Sequence, residues 1–277
     1  DTSGQVPREN LQAIAEAGLI GADFSPALKH ALTETLCAAC GTTWFVLTQH
    51  LGQCERIARH GAPHLQALLP AMIRGEHWVG VGFGHLRRPQ PMMTATPVSG
   101  GWLLSGVAPW VTGWPILSGV VYGAWLPDGQ HLYAYAETTP SDAQRAGPSQ
   151  QLCAMTATET VEVTLDNLFL PEENFLFLSN REVLMSGDVA GAAANVAPML
   201  GVARGSLRAL ERQMEKKPLA ALIEAHAALS AELAQCRETC AAWAALGAEA
   251  GKNGVEARAW AIDLGIRAAQ ASFVAAS

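Results

Sequence analysis

The chain has 277 residues, of which 49% are hydrophobic and 16% charged, so it has the composition of a globular protein with one or two domains. Its formal net charge of -7 argues against a nucleic-acid binder, since proteins that bind a phosphate backbone need a surplus of Lys and Arg. No apolar run reaches the length of a membrane span and no signal peptide is visible, so we expect a cytoplasmic protein.

The first part of the chain, residues 1–75, has apolar residues at helical spacing, for example Leu11 and Ile14, and is predicted to form an N-terminal helical domain. Cys37 and Cys40 in this part have the spacing of a metal-binding pair. No second pair lies at the distance of a zinc site, so we interpret both as buried thiols of a helix and expect no metal.

Residues 76–180 have the pattern of strands and turns, which predicts a middle domain built on an antiparallel sheet or barrel. A Gly100-Gly101 turn leads into an alternating strand that ends at Trp110, Val111 and Thr112. Strand alternation places the side chains of Trp110 and Thr112 on one face of the sheet. An indole and a hydroxyl at that position can cover and hydrogen-bond a flavin ring, although ordinary packing of sheet aromatics explains the tryptophan as well.

Helical periodicity returns in residues 181–277, which are rich in alanine and are predicted to form a C-terminal helical bundle. Two apolar seams support this prediction. One seam runs along Val196, Leu200, Ala203, Leu207, Leu210 and Met214. The other runs along Leu219, Leu222, His226, Leu229, Leu233, Cys236, Cys240 and Trp243. We therefore interpret His226, Cys236 and Cys240 as interior packing residues rather than ligands.

Two stretches of the middle part resemble the acyl-CoA dehydrogenase family. Residues 100–112 are similar to its "GGW.L.G.K.WIT" strand, and residues 155–174 are similar to its "RASDT..V.F..V.VP..N" segment. The resemblance implies an α+β, acyl-CoA dehydrogenase-like fold. Its parts would be an N-terminal helical domain, a middle antiparallel β-barrel-like domain and a C-terminal helical bundle that is incomplete at Ser277. It also implies FAD as the cofactor and assembly as a homodimer or homotetramer.

The resemblance further implies a set of site residues. Those expected to bind the cofactor are Gly82, Phe83, Trp110, Val111, Thr112, Arg212 and Met214, of which the last two would serve a neighbouring subunit. Those expected to bind substrate are His85, Arg87 and Arg88, which stand where the family has a "TEP..GSD" motif. Arg87 or Arg88 would alternatively contact the cofactor pyrophosphate by bidentate hydrogen bonds, or be solvated loop residues.

The sequence does not assign a catalytic base. Family members use a glutamate, but residues 190–195 contain no carboxylate, and Asp188 is the nearest candidate. Three hypotheses follow. The first is a flavin-dependent dehydrogenase of acyl-CoA or acyl-carrier thioesters, which removes an α-proton, transfers hydride to flavin N5 and passes electrons to an acceptor protein or oxygen. The second is a flavin monooxygenase, and the third is a flavin-free homologue that serves as a binding or assembly subunit.

Overall fold

The computed structural model describes residues 4–20, 24–139, 141–192 and 194–276. The helices are α1 (Arg8–Glu16), α2 (Pro26–Ala39), α3 (Gly41–His60), α4 (Pro63–Gln66), α5 (Leu69–Ile73), α6 (Arg181–Ala190), α7 (Ala197–Lys216), α8 (Ala220–Ala245) and α9 (Gly251–Ala276). The strands are β1 (Trp78–Gly82), β2 (Met93–Val98), β3 (Gly101–Val111), β4 (Leu117–Trp125), β5 (His131–Glu137), β6 (Gln144–Ala146), β7 (Val161–Pro171) and β8 (Phe175–Ser179). Helices, then strands, then helices follow one another as the sequence predicts.

The contacts divide the chain into two compact units. One contains Asp1–Asp23 and Phe45–Leu184, and the other contains Phe24–Trp44 and Met185–Ser277. The segment with α2 therefore belongs with the C-terminal helices. The three consecutive domains expected from the sequence stay a prediction.

The first unit is built on one sheet with the strand order β6-β7-β3-β2-β4-β5-β8, and β1 pairs with β4 outside this path. Pairing is antiparallel, as predicted, except that β4 runs parallel to β1 and, at one position, to β2. The β2–β3 hairpin turns at Gly100, whose φ of +80° is a conformation that glycine adopts without strain.

Two buried polar side chains connect three strands in the core of this sheet. Tyr122 on β4 is fully buried, and its hydroxyl donates to Gln144 Oε1 at 3.1 Å. The Gln144 amide donates in turn to the carbonyl of Glu137 at 2.9 Å. Both polar side chains are thereby satisfied inside an otherwise apolar cluster, which ties β4, β5 and β6 together.

Helix α3 is fixed to the sheet by His50. The ring Nδ1 accepts from the Val79 amide at 3.1 Å, and Nε2 lies 3.1 Å from the Met72 carbonyl oxygen. The ring also lies against Trp78, with centroids 4.5 Å apart. One buried histidine thus joins α3, α5 and the beginning of β1.

In the second unit, α7, α8 and α9 pack around an apolar core, and α2 packs against α7. Ser25 caps α2 by accepting from the Leu28 amide at 3.3 Å. Helix α7 approaches α2 closely at Gly201 and Gly205, where a Cβ atom would lie 2.7 Å from backbone oxygens of α2. Small residues at these positions are therefore required for the contact between α2 and α7.

The predicted seam of α7 is confirmed, since Leu200, Ala203, Leu207 and Leu210 are buried. The predicted seam of α8 is only partly right. Its buried residues are Leu233, Cys236 and Cys240, whereas Leu219 is 58% exposed. Leu222, Leu229 and Trp243 are half-buried and pack against the same core, so most of the seam faces the core as predicted, and Leu219 lies before the helix begins.

Candidate functional site

The loop after β1 begins in a crowded environment. A Cβ atom on Gly82 would clash with the ring of Tyr122, so only glycine fits there. The ring of Phe83 is buried between Arg56, whose Cζ lies 5.0 Å from its centroid, and Tyr133, whose centroid lies 5.2 Å away. Both predicted cofactor residues thus have their side-chain positions occupied by the protein, and a contact with a ligand would have to use their backbone.

His85 lies in the short 3-10 helix Gly84–Arg87 and is 1% exposed. Neither ring nitrogen has a hydrogen-bond partner among the described residues. Burial lowers the pKa of His85 to about 4, and the nearby His131 and Arg88 add to this shift. The ring is therefore neutral at pH 7 and is covered by protein rather than open to a substrate.

Arg87 and Arg88 are both exposed. The guanidinium carbon of Arg88 lies over the indole of Trp110, 4.8 Å from the ring centroid. This cation–π contact joins the loop after β1 to the end of β3, and it brings one predicted substrate residue against one predicted cofactor residue.

The end of β3 departs from regular alternation. Trp110 is 45% exposed, Val111 is completely buried in the sheet core, and Thr112 is 5% exposed. The strand ends at Val111, and its register with β7 shifts between Ala108 and Val111. The expectation that Trp110 and Thr112 share a face is therefore wrong, because Thr112 lies beyond the strand and turns inward.

Thr112 belongs to a buried chain of three hydroxyl groups. Its Oγ1 lies 3.0 Å from that of Thr160, which lies 2.9 Å from that of Thr158. The Gly113 amide also donates to the Thr158 carbonyl oxygen at 2.9 Å. Three hydroxyls have three hydrogens, and the two bonds within the chain use two of them. One O–H group is left to donate outside the chain.

Sequence reasoning did not single out Thr158 or Thr160. The only signal was their alternation with Thr156 just before β7. Left-handed backbone at Met155 and at Glu159 encloses the 3-10 turn that carries Thr158 and directs it inward. That conformation has no signature in single residues of these types.

The two remaining predicted cofactor residues lie on α7 of the second unit. Arg212 is exposed and Met214 is half-buried. Neither belongs to the first unit, which contains the other predicted site residues. Their expected role stays a prediction.

Four cysteines and His226 were expected to be interior residues, and the structure bears this out only in part. Cys236 and Cys240 are buried, but Cys37 and Cys40 are only half-buried. His226 is not an interior residue, since its Nε2 forms a contact of 3.0 Å with the exposed carboxylate of Glu211. In the described part of the chain, no group of three or more His, Cys, Asp or Glu residues is placed to hold a metal ion.

Within the same described ranges, no single helix is long and apolar enough to cross a membrane. One bent pair, Arg181–Val189 with Ala194–Lys216, reaches that length and composition only when its two parts are taken together.

Comparison with family models and with curated proteins finds no match to this chain. Solved structures match over its whole length. Butyryl-CoA dehydrogenase from Megasphaera elsdenii superposes with a TM-score of 0.83 at 14% identity, over 100% of this chain and 82% of that one. Glutaryl-CoA dehydrogenase from Mycobacterium smegmatis gives 0.82 at 17% identity, over 100% and 78%. KijD3, solved with FMN and a dTDP-linked amino sugar, gives 0.79 at 18% identity, over 100% and 78%. The chain therefore has an acyl-CoA dehydrogenase-like fold, as the two resembling stretches imply.

Proposed function

We propose that this protein is a flavin-dependent oxidoreductase that binds FAD and dehydrogenates the acyl group of an acyl-CoA or acyl-carrier thioester. The observation that carries the proposal is the exposed indole of Trp110 at the end of β3, beside a buried hydroxyl chain, in an acyl-CoA dehydrogenase-like fold.

The residues present fit a flavin. The Arg88 guanidinium lies over the Trp110 ring, and much of the indole is still exposed to cover a planar cofactor. The Thr112–Thr160–Thr158 hydroxyl chain is buried, so in this proposal it holds the end of β3 in place and Thr112 contacts the flavin through its backbone. Gly84 adds backbone with open space around it, since a Cβ atom there would meet nothing within 4 Å.

In this proposal each residue has a limited role. Trp110 packs against the flavin and excludes water, and the hydroxyl chain holds the end of the strand that carries Trp110. Arg88 contributes positive charge for a phosphate or for the substrate. Arg212 and Met214 would contact the cofactor of a neighbouring copy. The flavin, when bound, supplies the acceptor for hydride from the substrate Cβ. The base that removes the α-proton is unassigned.

The proposal includes the assembly and its surroundings. The substrate is an acyl thioester, and the electrons pass to an acceptor protein or to oxygen. The protein works in the cytoplasm as a homodimer or homotetramer, because a cofactor site that borrows Arg212 and Met214 from another copy is incomplete in a monomer. A monomeric mass by light scattering at micromolar concentration would count against this assembly.

The first experiment is an absorbance spectrum of the purified protein, followed by mass analysis of any released cofactor. We expect flavin bands and FAD at about one per chain. A colourless protein that does not take up added FAD or FMN would contradict the proposal and support the flavin-free hypothesis. FMN in place of FAD would correct the cofactor and leave the class of enzyme standing.

A second candidate function is a flavin monooxygenase, in which reduced flavin activates oxygen. It is supported by the lack of any carboxylate in residues 190–196, since that reaction needs no α-proton base. A protein of similar fold, KijD3, was solved with FMN and a nucleotide-linked sugar. Anaerobic bleaching of bound flavin by a panel of acyl-CoAs supports the dehydrogenase, whereas oxygen uptake that requires reduced flavin supports the monooxygenase.

A further inference from the structure

A cavity in the first unit has the chemistry of an anion site. It lies at the C-terminal end of α3 beside β8 and has a volume of about 290 Å³. The residues that line it are Gly52, Glu55, Arg56, Arg59, His60 and Phe177. None of them belongs to the set assigned above to flavin or substrate.

Arg56 is held rigidly at this cavity. Its Nη1 donates to the Gly52 carbonyl at 2.8 Å, and its Cζ lies 5.0 Å from the centroid of the buried Phe83 ring. Two contacts on different sides fix the guanidinium before any ligand arrives. Less side-chain entropy is then lost when the group binds an anion.

Positive charge at the cavity exceeds negative charge. Arg59, one turn further along α3, is exposed and makes no ion pair within the described ranges, whereas Glu55 supplies a single carboxylate. Burial lowers the pKa of Arg56; Tyr133 and Glu55 oppose this shift, and Arg87 and Arg59 add to it. A bound anion would offset the repulsion between these arginines and so stabilise their charged forms. This concentration of positive charge occurs in a protein whose net charge is -7.

The apolar wall of the cavity comes from Phe177. Its ring stacks on Tyr133 with centroids 4.4 Å apart, and His60 lies against it at 4.9 Å. A planar or apolar group attached to the anion would find an ordered aromatic surface there.

We propose that this cavity is a binding site for a phosphate-bearing ligand, with Arg56 and Arg59 holding the phosphate oxygens and Phe177 contacting the rest of the molecule. Bidentate contact from a guanidinium suits a phosphate, and two guanidiniums suit a diphosphate better than a monophosphate. The inference does not depend on the flavin proposal, because none of these three residues is assigned to the cofactor.

The test uses inorganic pyrophosphate as the probe and titration calorimetry at low salt. We expect the full chain to bind one pyrophosphate and Arg59→Gln to weaken the affinity by about tenfold, since one charge-assisted contact is lost. Arg59→Lys keeps the charge and should fall between the two. Arg208→Gln, which removes an exposed arginine of α7 in the other unit, is the matched control and should bind like wild type.

Three outcomes would overturn the site. Wild-type protein that binds no pyrophosphate at millimolar concentration is one. Equal weakening by Arg59→Gln and Arg208→Gln is another, because it would indicate only the overall charge. The third is loss of pyrophosphate binding in Arg88→Gln together with unchanged binding in Arg59→Gln, which would assign the anion to the cofactor site instead. Thermal unfolding of each variant shows whether it is folded before the titration.

Discussion

Arg88 and Trp110 form the contact that joins the loop after β1 to the end of β3, with the guanidinium carbon 4.8 Å from the indole centroid. They come from stretches more than 20 positions apart, and together they bring positive charge beside an exposed aromatic surface. The pair is a local test of the flavin proposal, because either side chain can be removed without opening the buried sheet core.

Trp110→Ala is expected to weaken flavin affinity more than it weakens the fold. The indole is 45% exposed, so its loss removes contact surface for the cofactor and leaves little cavity inside. Titration of apo protein with FAD measures the effect. Trp114→Ala, which removes another tryptophan just after β3, serves as the comparison. Unchanged FAD affinity in Trp110→Ala, with only a lower melting temperature, would argue against the assignment.

Removing the middle hydroxyl of the threonine chain should cost more stability than removing an end. Thr160 contacts both Thr112 and Thr158, so Thr160→Val leaves two buried hydroxyls without their partner. We expect a loss of roughly 2 kcal/mol of unfolding free energy for Thr160→Val and about 1 kcal/mol for Thr112→Val. Urea unfolding monitored by tryptophan fluorescence gives both values. Equal losses would mean that the three groups do not act as a chain.

Much of the fold could be predicted from periodicity, but the threonine chain could not. The seam of α7 and the alternation at the start of β7 follow the buried face of each element, whereas the burial of β3 does not alternate regularly. The inward turn of Thr112 depends instead on where β3 ends and on the register shift against β7, which are properties of two segments together. A single strand pattern has no information about its partner, so alternation was extended one residue too far.

The same limit applies to the second unit. Helix α2 was predicted as a helix, but its place among the C-terminal helices was not foreseen. The contact depends on Gly201 and Gly205 of α7, which look like weak points of a helix when seen in sequence alone. His50 is a similar case. Its ring contacts Met72 and Val79, which lie on either side of a turn and more than 20 positions further along the chain. A single histidine in a helical pattern does not predict these contacts.

Arg237→Ala should destabilise the second unit by roughly 2 kcal/mol. Glu34 is buried, and Arg237 binds its two carboxylate oxygens at 2.7 and 3.1 Å, so the variant leaves a buried carboxylate whose remaining arginine contact is the longer one to Arg204, at 3.7 Å. The double variant Glu34→Gln with Arg237→Ala should recover part of the loss, because the uncompensated charge is gone. Thermal denaturation of the three proteins measures this. No recovery in the double variant would show that packing, not charge, explains the loss.

Thiol labelling should separate the cysteines into two classes. Burial raises the pKa of Cys54 and of Cys236 to about 12, so these thiols are protonated and covered at pH 8. Cys153 is exposed and should react first with a maleimide. Mass spectrometry of peptides after short labelling gives the order. Labelling of Cys236 as fast as Cys153 in folded protein would contradict the packing of the second unit.

Stability should fall in mild acid because His85 is buried as a neutral ring. Its pKa is lowered from 6.5 to about 4, so above pH 6.5 neither the folded nor the unfolded state binds the proton. Between pH 6.5 and about 4, His85 binds a proton in the unfolded state but stays neutral in the folded state. The free energy of unfolding therefore falls as the pH decreases. At about 1.4 kcal/mol per pKa unit, the group accounts for roughly 3 kcal/mol by pH 4. Replacing it by His85→Leu should remove that part of the slope. Urea unfolding at a series of pH values from 7 to 4 measures the difference, and parallel curves for His85→Leu and wild type would show that the ring is not held neutral by its burial.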